Sequence, residues 1–370
     1  MKQPHRHQHN LLFLPFMQIA SGHHEVADTL MYECDHHKSR LKCNKVDILS
    51  YSYGWVEKLV SSVYLSWISN FPSSYHLLYD ITSYRNRSER KRNFFYAKLF
   101  IPFFKKLIHE MNPNLIICTH ALPSSIASQL KQKNRLNQII INVYTDFFIN
   151  RVWGLEGIDY HFAPTIHVKE YLLEEGIPES RIFVTGIPVH PIFRIDNGGR
   201  HAHKQSVLIT GGNLGLGGIE KILSNTDGDI HFYILCGKNE RLYQRLNHYE
   251  HSHITPLPYI KSKGKMNELY NKVDAVLTKP GGVTISECLM KKKTIFVYNP
   301  LPGQEKFNVK QLLKLGVIMP IENFFDAERR IKDYFRNKSE QKVYQQRVNA
   351  YHKNLEINSL SSILDVLKDR

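Results

Sequence analysis

The sequence predicts an α/β fold made of two doubly wound, Rossmann-like domains in succession. At 370 residues the chain is long enough to bury two cores. Short apolar, β-rich runs alternate along it with longer helical patterns, and the alternation falls into two series parted by a polar stretch. Strands that are apolar throughout, separated by helices, indicate parallel sheets covered on both faces.

The first series opens with Leu11–Met17, an apolar run interrupted by Pro15. Lys45–Leu49, Asn114–Thr119, Gln138–Tyr144, Tyr160–Ala163 and Arg181–Thr185 follow as strands of the same kind. Pro188 and Pro191 stiffen the exit from this series. The stretch Arg194–Gln205 has no apolar periodicity and carries Gly198 and Gly199, so it reads as a linker. The second series comprises Ser206–Thr210, His231–Cys236, Ala275–Leu277, Thr294–Tyr298 and Val317–Ile321, ending in a charged helical tail from Asp326. These signals place one domain at residues 1–193 and a second at 205–370. The His-rich first ten residues could bind metal but read as a solvated terminus.

Lys and Arg number 49 against 34 Asp and Glu, giving a net charge of +15 and a surface that attracts phosphate-bearing partners. No nucleic-acid recognition motif accompanies that charge, so nucleic acid is not expected as a partner. The five cysteines are scattered and form no C-x-x-C pair, which argues against a zinc site or disulfide framework and for a reducing compartment. Leu11–Met17 lacks a cleavage pattern and reads as a buried strand rather than a signal peptide. Nothing approaches the roughly 20 apolar residues that cross a bilayer. Any membrane contact is therefore expected to be peripheral.

The sharpest chemical signal is Leu277-Thr-Lys-Pro-Gly-Gly-Val-Thr-Ile-Ser-Glu-Cys-Leu289. A strand ends, Gly281 and Gly282 turn, and a helix is expected to begin near Thr284. Unpaired N–H groups at a helix start, with the hydroxyls of Thr284 and Ser286, suit a diphosphate. Glu287 is placed to accept two hydrogen bonds from a ribose diol. The competing reading is a capping box between Thr284 and Glu287. A second glycine loop, Thr210-Gly-Gly-Asn-Leu-Gly-Leu-Gly-Gly218, lacks the ending of a nucleotide-hydrolysing P-loop yet permits close approach to a phosphate.

His23, in Ala20-Ser-Gly-His-His-Glu-Val-Ala-Asp28, follows the first strand at a sheet edge where open α/β sheets place ligands. It could take the proton of an acceptor hydroxyl, or simply cap a helix. Gln304, Glu305 and Asn308, in the loop Leu301–Asn308, offer amide and carboxylate groups suited to sugar hydroxyls; a solvated loop is the alternative.

In this order the segments resemble the diacylglycerol-dependent glycosyltransferases of the GT-B fold, the diacylglycerol glucosyltransferases and monogalactosyldiacylglycerol synthases. The resemblance spans about Leu11 to Leu313. Lys279-Pro-Gly-Gly-Val-Thr-Ile-Ser-Glu287 is its most specific part, with Val143-Tyr-Thr-Asp-Phe147 and Trp153, Val184-Thr-Gly-Ile-Pro-Val-His-Pro191, and Gly303-Gln-Glu305 as further marks. It implies two domains facing a central cleft, with acceptor in the N-terminal one and donor in the C-terminal one. Glu287 would hold the ribose of a UDP-sugar. Gly281, Gly282, Thr284 and Ser286 would face its diphosphate, helped by Gly212 and Asn213. Met266 would lie near the base, and Gln304 and Glu305 would bind the sugar. His23 would be the catalytic base, oriented by Asp146. Two departures fall on the acceptor side: the Ala20–His23 loop is poorer in glycine than the family's, and Asn150 stands where the family usually has histidine.

The implied reaction is inverting transfer of a hexose to a lipid hydroxyl such as that of diacylglycerol, in glycolipid synthesis. Helix-start and loop amides rather than a metal are expected to stabilise the leaving diphosphate. No cofactor is expected. Between Arg85 and Lys106, basic residues interleave with Phe94, Phe95, Tyr96, Phe100, Phe103 and Phe104, a composition that suits an anionic membrane surface or else a core helix with solvated charges. A cytoplasmic enzyme held peripherally on the membrane is the expected setting. The alternatives are a UDP-N-acetylglucosamine-dependent transferase acting on a polyprenyl-linked or non-lipid acceptor, and a weakly active sugar-nucleotide-binding regulator.

Overall fold

The computed structural model describes residues 9–16, 22–36, 41–52, 90–195, 205–211, 228–248, 252–298, 300 and 303–356, the side chains of 90–98 and 324 excepted. Its chain divides into two compact units. The first holds the described residues up to Pro188 and those from Asn354 on, the second Val189–Lys353.

In the first unit, β1 (His9–Leu14), β2 (Leu41–Lys45), β3 (Leu115–Cys118), β4 (Ile139–Val143), β5 (Tyr160–Ala163) and β6 (Ile182–Val184) form one parallel sheet in the order β2-β1-β3-β4-β5-β6. Leu12, Phe13, Leu14, Ile116 and Ile117 are wholly buried, which is why these strands carry no polar alternation. The helices α1 (Gly22–Asp35), α2 (Arg90–Met111), α3 (Ala121–Gln132) and α4 (Ile166–Glu174) connect the strands. Phe104, Leu107 and Ile108 of α2 and Ile126, Ala127 and Leu130 of α3 share one core cluster with Leu12, Leu14 and Ile116. Lys105 and Lys106 stay exposed beside the buried Phe104. Arg85 and the side chains of Arg90 to Lys98 lie outside the described residues.

The second unit repeats the plan. Strands β7 (Ser206–Thr210), β8 (His231–Leu235), β9 (Ile254–Leu257), β10 (Ala275–Thr278), β11 (Thr294–Tyr298) and β12 (Met319–Ile321) are parallel in the order β12-β11-β10-β7-β8-β9. Renumbered from its own first strand, this is the Rossmann order 3-2-1-4-5-6. Its helices are α5 (Glu240–His248), α6 (Lys263–Lys272), α7 (Gly282–Met290), α8 (Gln304–Leu315), α9 (Ala327–Arg336) and α10 (Lys338–Lys353). The charged tail is anchored by buried Ile331, Tyr334, Tyr344 and Val348. The Tyr344 hydroxyl accepts the Ile295 N–H at 3.0 Å and meets the Val317 carbonyl at 2.9 Å.

Four elements differ from the sequence-based expectation. Lys45–Leu49 is not a strand: β2 ends at Lys45, and Asp47 caps a helical turn from 48 by accepting the Leu49 N–H at 2.8 Å. β1 ends at Leu14 because Pro15 has no N–H to continue the ladder. β9 is an unexpected strand. It is short, contains Pro256 and lies at the outer end of the described sheet, where proline is tolerated and an apolar run is not required. Finally, Val189–Phe193, expected in the first domain, and Arg194 and Ile195, expected in the linker, group with the second unit. Phe193 is buried with its ring 5.7 Å from that of Tyr270, and the Ile195 carbonyl accepts the Lys291 ammonium at 2.6 Å. At the other end the chain returns to the first unit. The Glu356 N–H bonds the Val184 carbonyl at 2.8 Å, and its carboxylate accepts the Val184 N–H at 2.9 Å and the Lys169 ammonium at 2.6 Å.

Candidate active site

Each sheet has a point where consecutive connections leave in opposite directions, and open α/β sheets bind ligands beyond the strand C-termini there. In the first unit that point lies between β1 and β3, in the second between β7 and β10. The sequence motifs fall on these two edges.

His23 sits in the first turn of α1, at the β1 edge. Its Nδ1 lies 2.9 Å from the carbonyl oxygen of Thr119, just past β3, and 2.8 Å from the Thr145 hydroxyl, just past β4. A carbonyl can only accept, so the ring proton resides on Nδ1, shared with the Thr145 oxygen, and Nε2 keeps its lone pair. Burial holds this imidazole below its ordinary pKa, opposed by the Asp146 carboxylate and the Thr119 carbonyl, and reinforced by His24. His120 stands edge-on to it, ring centres 4.7 Å apart, and stacks on Phe16 at 4.8 Å. As N-cap of α3 it accepts the Leu122 N–H on Nδ1 at 3.1 Å, which leaves its proton on Nε2. Burial, His23 and His24 push its pKa well below the usual range. One edge thus carries a neutral ring with a free lone pair beside a neutral ring with an N–H donor.

Asp146 exerts the largest upward pull on His23, while the direct contacts that hold the ring come from Thr119 and Thr145. Asn150 accepts the Val152 N–H at 3.1 Å and its carbonyl takes the Trp153 N–H at 3.3 Å, so it shapes the turn leading to Trp153. Trp153 packs edge-on against Tyr144, whose hydroxyl meets His161 Nδ1 at 2.8 Å.

On the second unit, α7 starts at Gly282 with Gly281 as its N-cap, two residues earlier than expected. Thr284 is therefore the third helical residue and cannot be the cap, so the capping-box reading fails. Among the described residues no side chain caps this helix, and the N–H groups of Gly282, Val283 and Thr284 have no acceptor within it. A Cβ built on Gly281 would meet nothing within 4 Å among the described residues. Ser286 is buried and its hydroxyl donates to the Gly282 carbonyl at 2.8 Å, which leaves it no proton for a phosphate. Thr284 remains half-buried.

Glu287 lies in the second turn of α7, 9% exposed. Tyr270 donates to its Oε2 at 2.9 Å, and the Lys263 ammonium lies 3.8 Å from Oε1. Burial and the adjacent Glu287 carboxylate drive the Tyr270 phenol well above its usual pKa, keeping it a donor. Lys263, Met266 and Tyr270 recur at helical spacing on one face of α6. Gln304 and Glu305 form the first turn of α8, whose N-cap Gly303 has φ 88°. Asn308 is not free for a sugar: it is 1% exposed and its amide donates to the Pro280 carbonyl at 3.1 Å, fastening α8 to the loop before Gly281. Gly212 and Asn213 lie outside the described residues.

Sequence reasoning missed Thr119, His120, Thr145, Tyr270 and Lys263. Thr119-His120 follows an apolar strand as directly as His23 does, and Tyr270 lies four residues beyond Met266, signals that could have marked both.

Residues 23–189 match the family described as monogalactosyldiacylglycerol (MGDG) synthase. The chain is 41% identical over 365 residues to the uncharacterized glycosyltransferase YkoN of Bacillus subtilis (strain 168), covering 97% of this chain and 96% of that protein. It is 29% identical over 346 residues to the processive diacylglycerol beta-glucosyltransferase of Bacillus pumilus, covering 90% and 88%. Among solved structures, Acinetobacter baumannii MurG superposes with a TM-score of 0.59 at 11% identity, over 98% of this chain and all of that one. S. aureus MnaA in its UDP complex gives 0.58 at 15%, over 97% and 95%. The fold is accordingly α/β and GT-B-like.

Proposed function

This chain belongs to the monogalactosyldiacylglycerol synthase family of glycosyltransferases, and we propose that it transfers a hexose from a UDP-sugar to the hydroxyl of a diacylglycerol-type lipid, with inversion. The observation that carries this reading is the His23 ring, fixed through Nδ1 by Thr119 and Thr145 with Nε2 unspent at the β1/β3 edge. The acceptor oxygen attacks the anomeric carbon as its proton passes to Nε2, and the diphosphate leaves with the bonding electrons. Neutral His120 donates through Nε2 to an oxygen of the acceptor, and Asp146 stabilises the imidazolium as it forms.

In this reading the first unit holds the acceptor and the second the donor. The uncapped N–H groups at the start of α7, with Thr284, receive the diphosphate. Glu287 takes the ribose hydroxyls, Met266 lies against the base, and Gln304 and Glu305 meet the sugar. Gly212 and Asn213 are assigned to the diphosphate on motif grounds. The lipid acceptor is supported by the processive diacylglycerol beta-glucosyltransferase relative, and UDP by its presence on the same fold in MnaA. No helix among the described residues is long and apolar enough to cross a membrane. Peripheral attachment through the Arg85–Lys106 region at the cytoplasmic face is part of the proposal.

The test is product analysis with labelled UDP-glucose, UDP-galactose and UDP-N-acetylglucosamine and dispersed diacylglycerol. A labelled glycolipid is expected from a hexose donor. His23→Ala is expected to lower kcat by about 10²–10⁴ while calorimetry shows donor binding unchanged. Equal loss of both would make His23 a structural residue, and transfer only from UDP-N-acetylglucosamine would move the assignment to that donor.

A further inference from the structure

All five cysteines are free, and two of them, 34 and 43, meet in space. Cys34 lies in the last turn of α1 on the stripe Val26, Leu30, Cys34 that the helix buries; it is 2% exposed. Cys43 is the central residue of β2, beside Leu11 of β1, and is half-buried. The two sulfurs lie close enough to interact, each thiol's pKa being shifted chiefly by the other. A second contact fixes this register independently, an ion pair between Asp28 of α1 and Lys45 of β2. From that pair to the cysteines is six residues forward along the helix and two back along the strand. Those are travels of about 9 and 7 Å in opposite chain directions. A right-handed βαβ crossover runs its helix antiparallel to its strands, so the two contacts agree.

We infer that Cys34 and Cys43 form a reversible oxidation site that closes to a disulfide between α1 and β2 on exposure to a low-molecular-weight disulfide. The Cys43 thiolate attacks one sulfur of the small disulfide, forming a mixed disulfide and releasing one small thiolate. Cys34 then gives up its proton and attacks the Cys43 sulfur, expelling the second small thiol. Two protein thiols are oxidised and one small disulfide is reduced to two thiols. The interaction with Cys34 keeps Cys43 below its ordinary pKa, against the upward push of burial. Cys34 is held high chiefly by its interaction with Cys43, and next by burial. Once Cys43 is in a mixed disulfide that interaction ends, and the main restraint on Cys34 is gone. Cys43 is also the more exposed of the two, half-buried against 2% for Cys34, so a small disulfide reaches it first: Cys43 is the attacking group and Cys34 the resolving one. Cys118, Cys236 and Cys288 are buried, with thiols pushed upward in pKa by burial, and serve as internal controls.

The test treats the full-length, folded protein with oxidised glutathione, quenches in acid, alkylates and maps peptides by mass. One linked pair, Cys34 to Cys43, is expected, reversed by dithiothreitol, with the other three cysteines alkylated only after unfolding. Before oxidation, Cys43 should react with N-ethylmaleimide at least about tenfold faster than those three. Cys34→Ser should accumulate a stable glutathione adduct on Cys43, and Cys43→Ser should yield neither adduct nor bridge, each variant being checked for folding by circular dichroism. Both thiols remaining reduced in the wild-type protein overturns the inference, as does a linked pair involving any other cysteine. The wild-type mapping decides the matter even where a variant fails to fold.

Discussion

A single proton decides the chemistry at His23. Because the Thr119 carbonyl can only accept, it dictates which nitrogen is left as base, and burial lowers the ring's pKa, favouring its neutral form. Activity should therefore depend on a group whose pKa lies below 6.5, with kcat/KM falling as pH drops through it. The Asp146 carboxylate raises that pKa, so Asp146→Asn should shift the acid limb of the profile to lower pH while reducing kcat. A limb that stays in place would mean the titrating group is not His23. On the donor side, Tyr270 supplies a hydrogen bond to a buried carboxylate, an interaction of about 1.5–3 kcal/mol. Tyr270→Phe is expected to weaken UDP binding roughly tenfold by calorimetry, and Glu287→Ala to weaken it further. Unchanged affinity in both would remove Glu287 from the donor site.

At the scale of elements, the sites exist because loops are pinned to the sheet edges. Gly154 shows how tightly. The Asn142 amide donates to its carbonyl at 2.8 Å, and its N–H donates to Ser124 Oγ at 3.1 Å. A Cβ at Gly154 would come within 2.5 Å of both the Ser124 carbonyl oxygen and Ser128 Cβ. Gly154→Ala must displace either the loop or α3, so a loss of about 1–3 kcal/mol is expected in urea denaturation. The displaced loop carries Trp153, whose fluorescence should report the shift. Much of this was legible beforehand. Eight strands were expected within one residue of where they lie, because buried parallel strands are apolar throughout and announce themselves. β2 and β9 were not, since strands at the ends of a sheet carry less of that signature. Helix starts were misjudged for a related reason. Whether Thr284 or Gly281 caps α7 depends on where the β10 strand releases the chain, not on local spacing.

The whole molecule titrates unevenly. Among the described residues, burial lowers the pKa of His23, His120 and His161 in the first unit, His161 to about 3, against His352 in the second. A group whose folded pKa is depressed leaves the unfolded chain binding more protons below the ordinary value of 6.5. Stability contributed by keeping these rings neutral is therefore complete above 6.5 and lost as pH falls toward 3. Each unit of depression corresponds to about 1.4 kcal/mol. Amide hydrogen exchange, corrected for intrinsic rates, should show β1–β6 loosening at pH 5 relative to pH 7.5 before β7–β12 does. The reverse order would contradict the burial of these rings. Sequence by itself determined the two doubly wound halves, the sheet edges that carry the motifs, and the family, because apolar periodicity and glycine-rich turns are local properties. Only the tertiary structure decided which partners each side chain keeps. Thr119 beside His23, Tyr270 on Glu287, Asn308 on Pro280 and Cys34 against Cys43 lie between 9 and 96 residues apart along the chain. Contacts at such separations follow from how strands are ordered in a sheet, which no local pattern encodes.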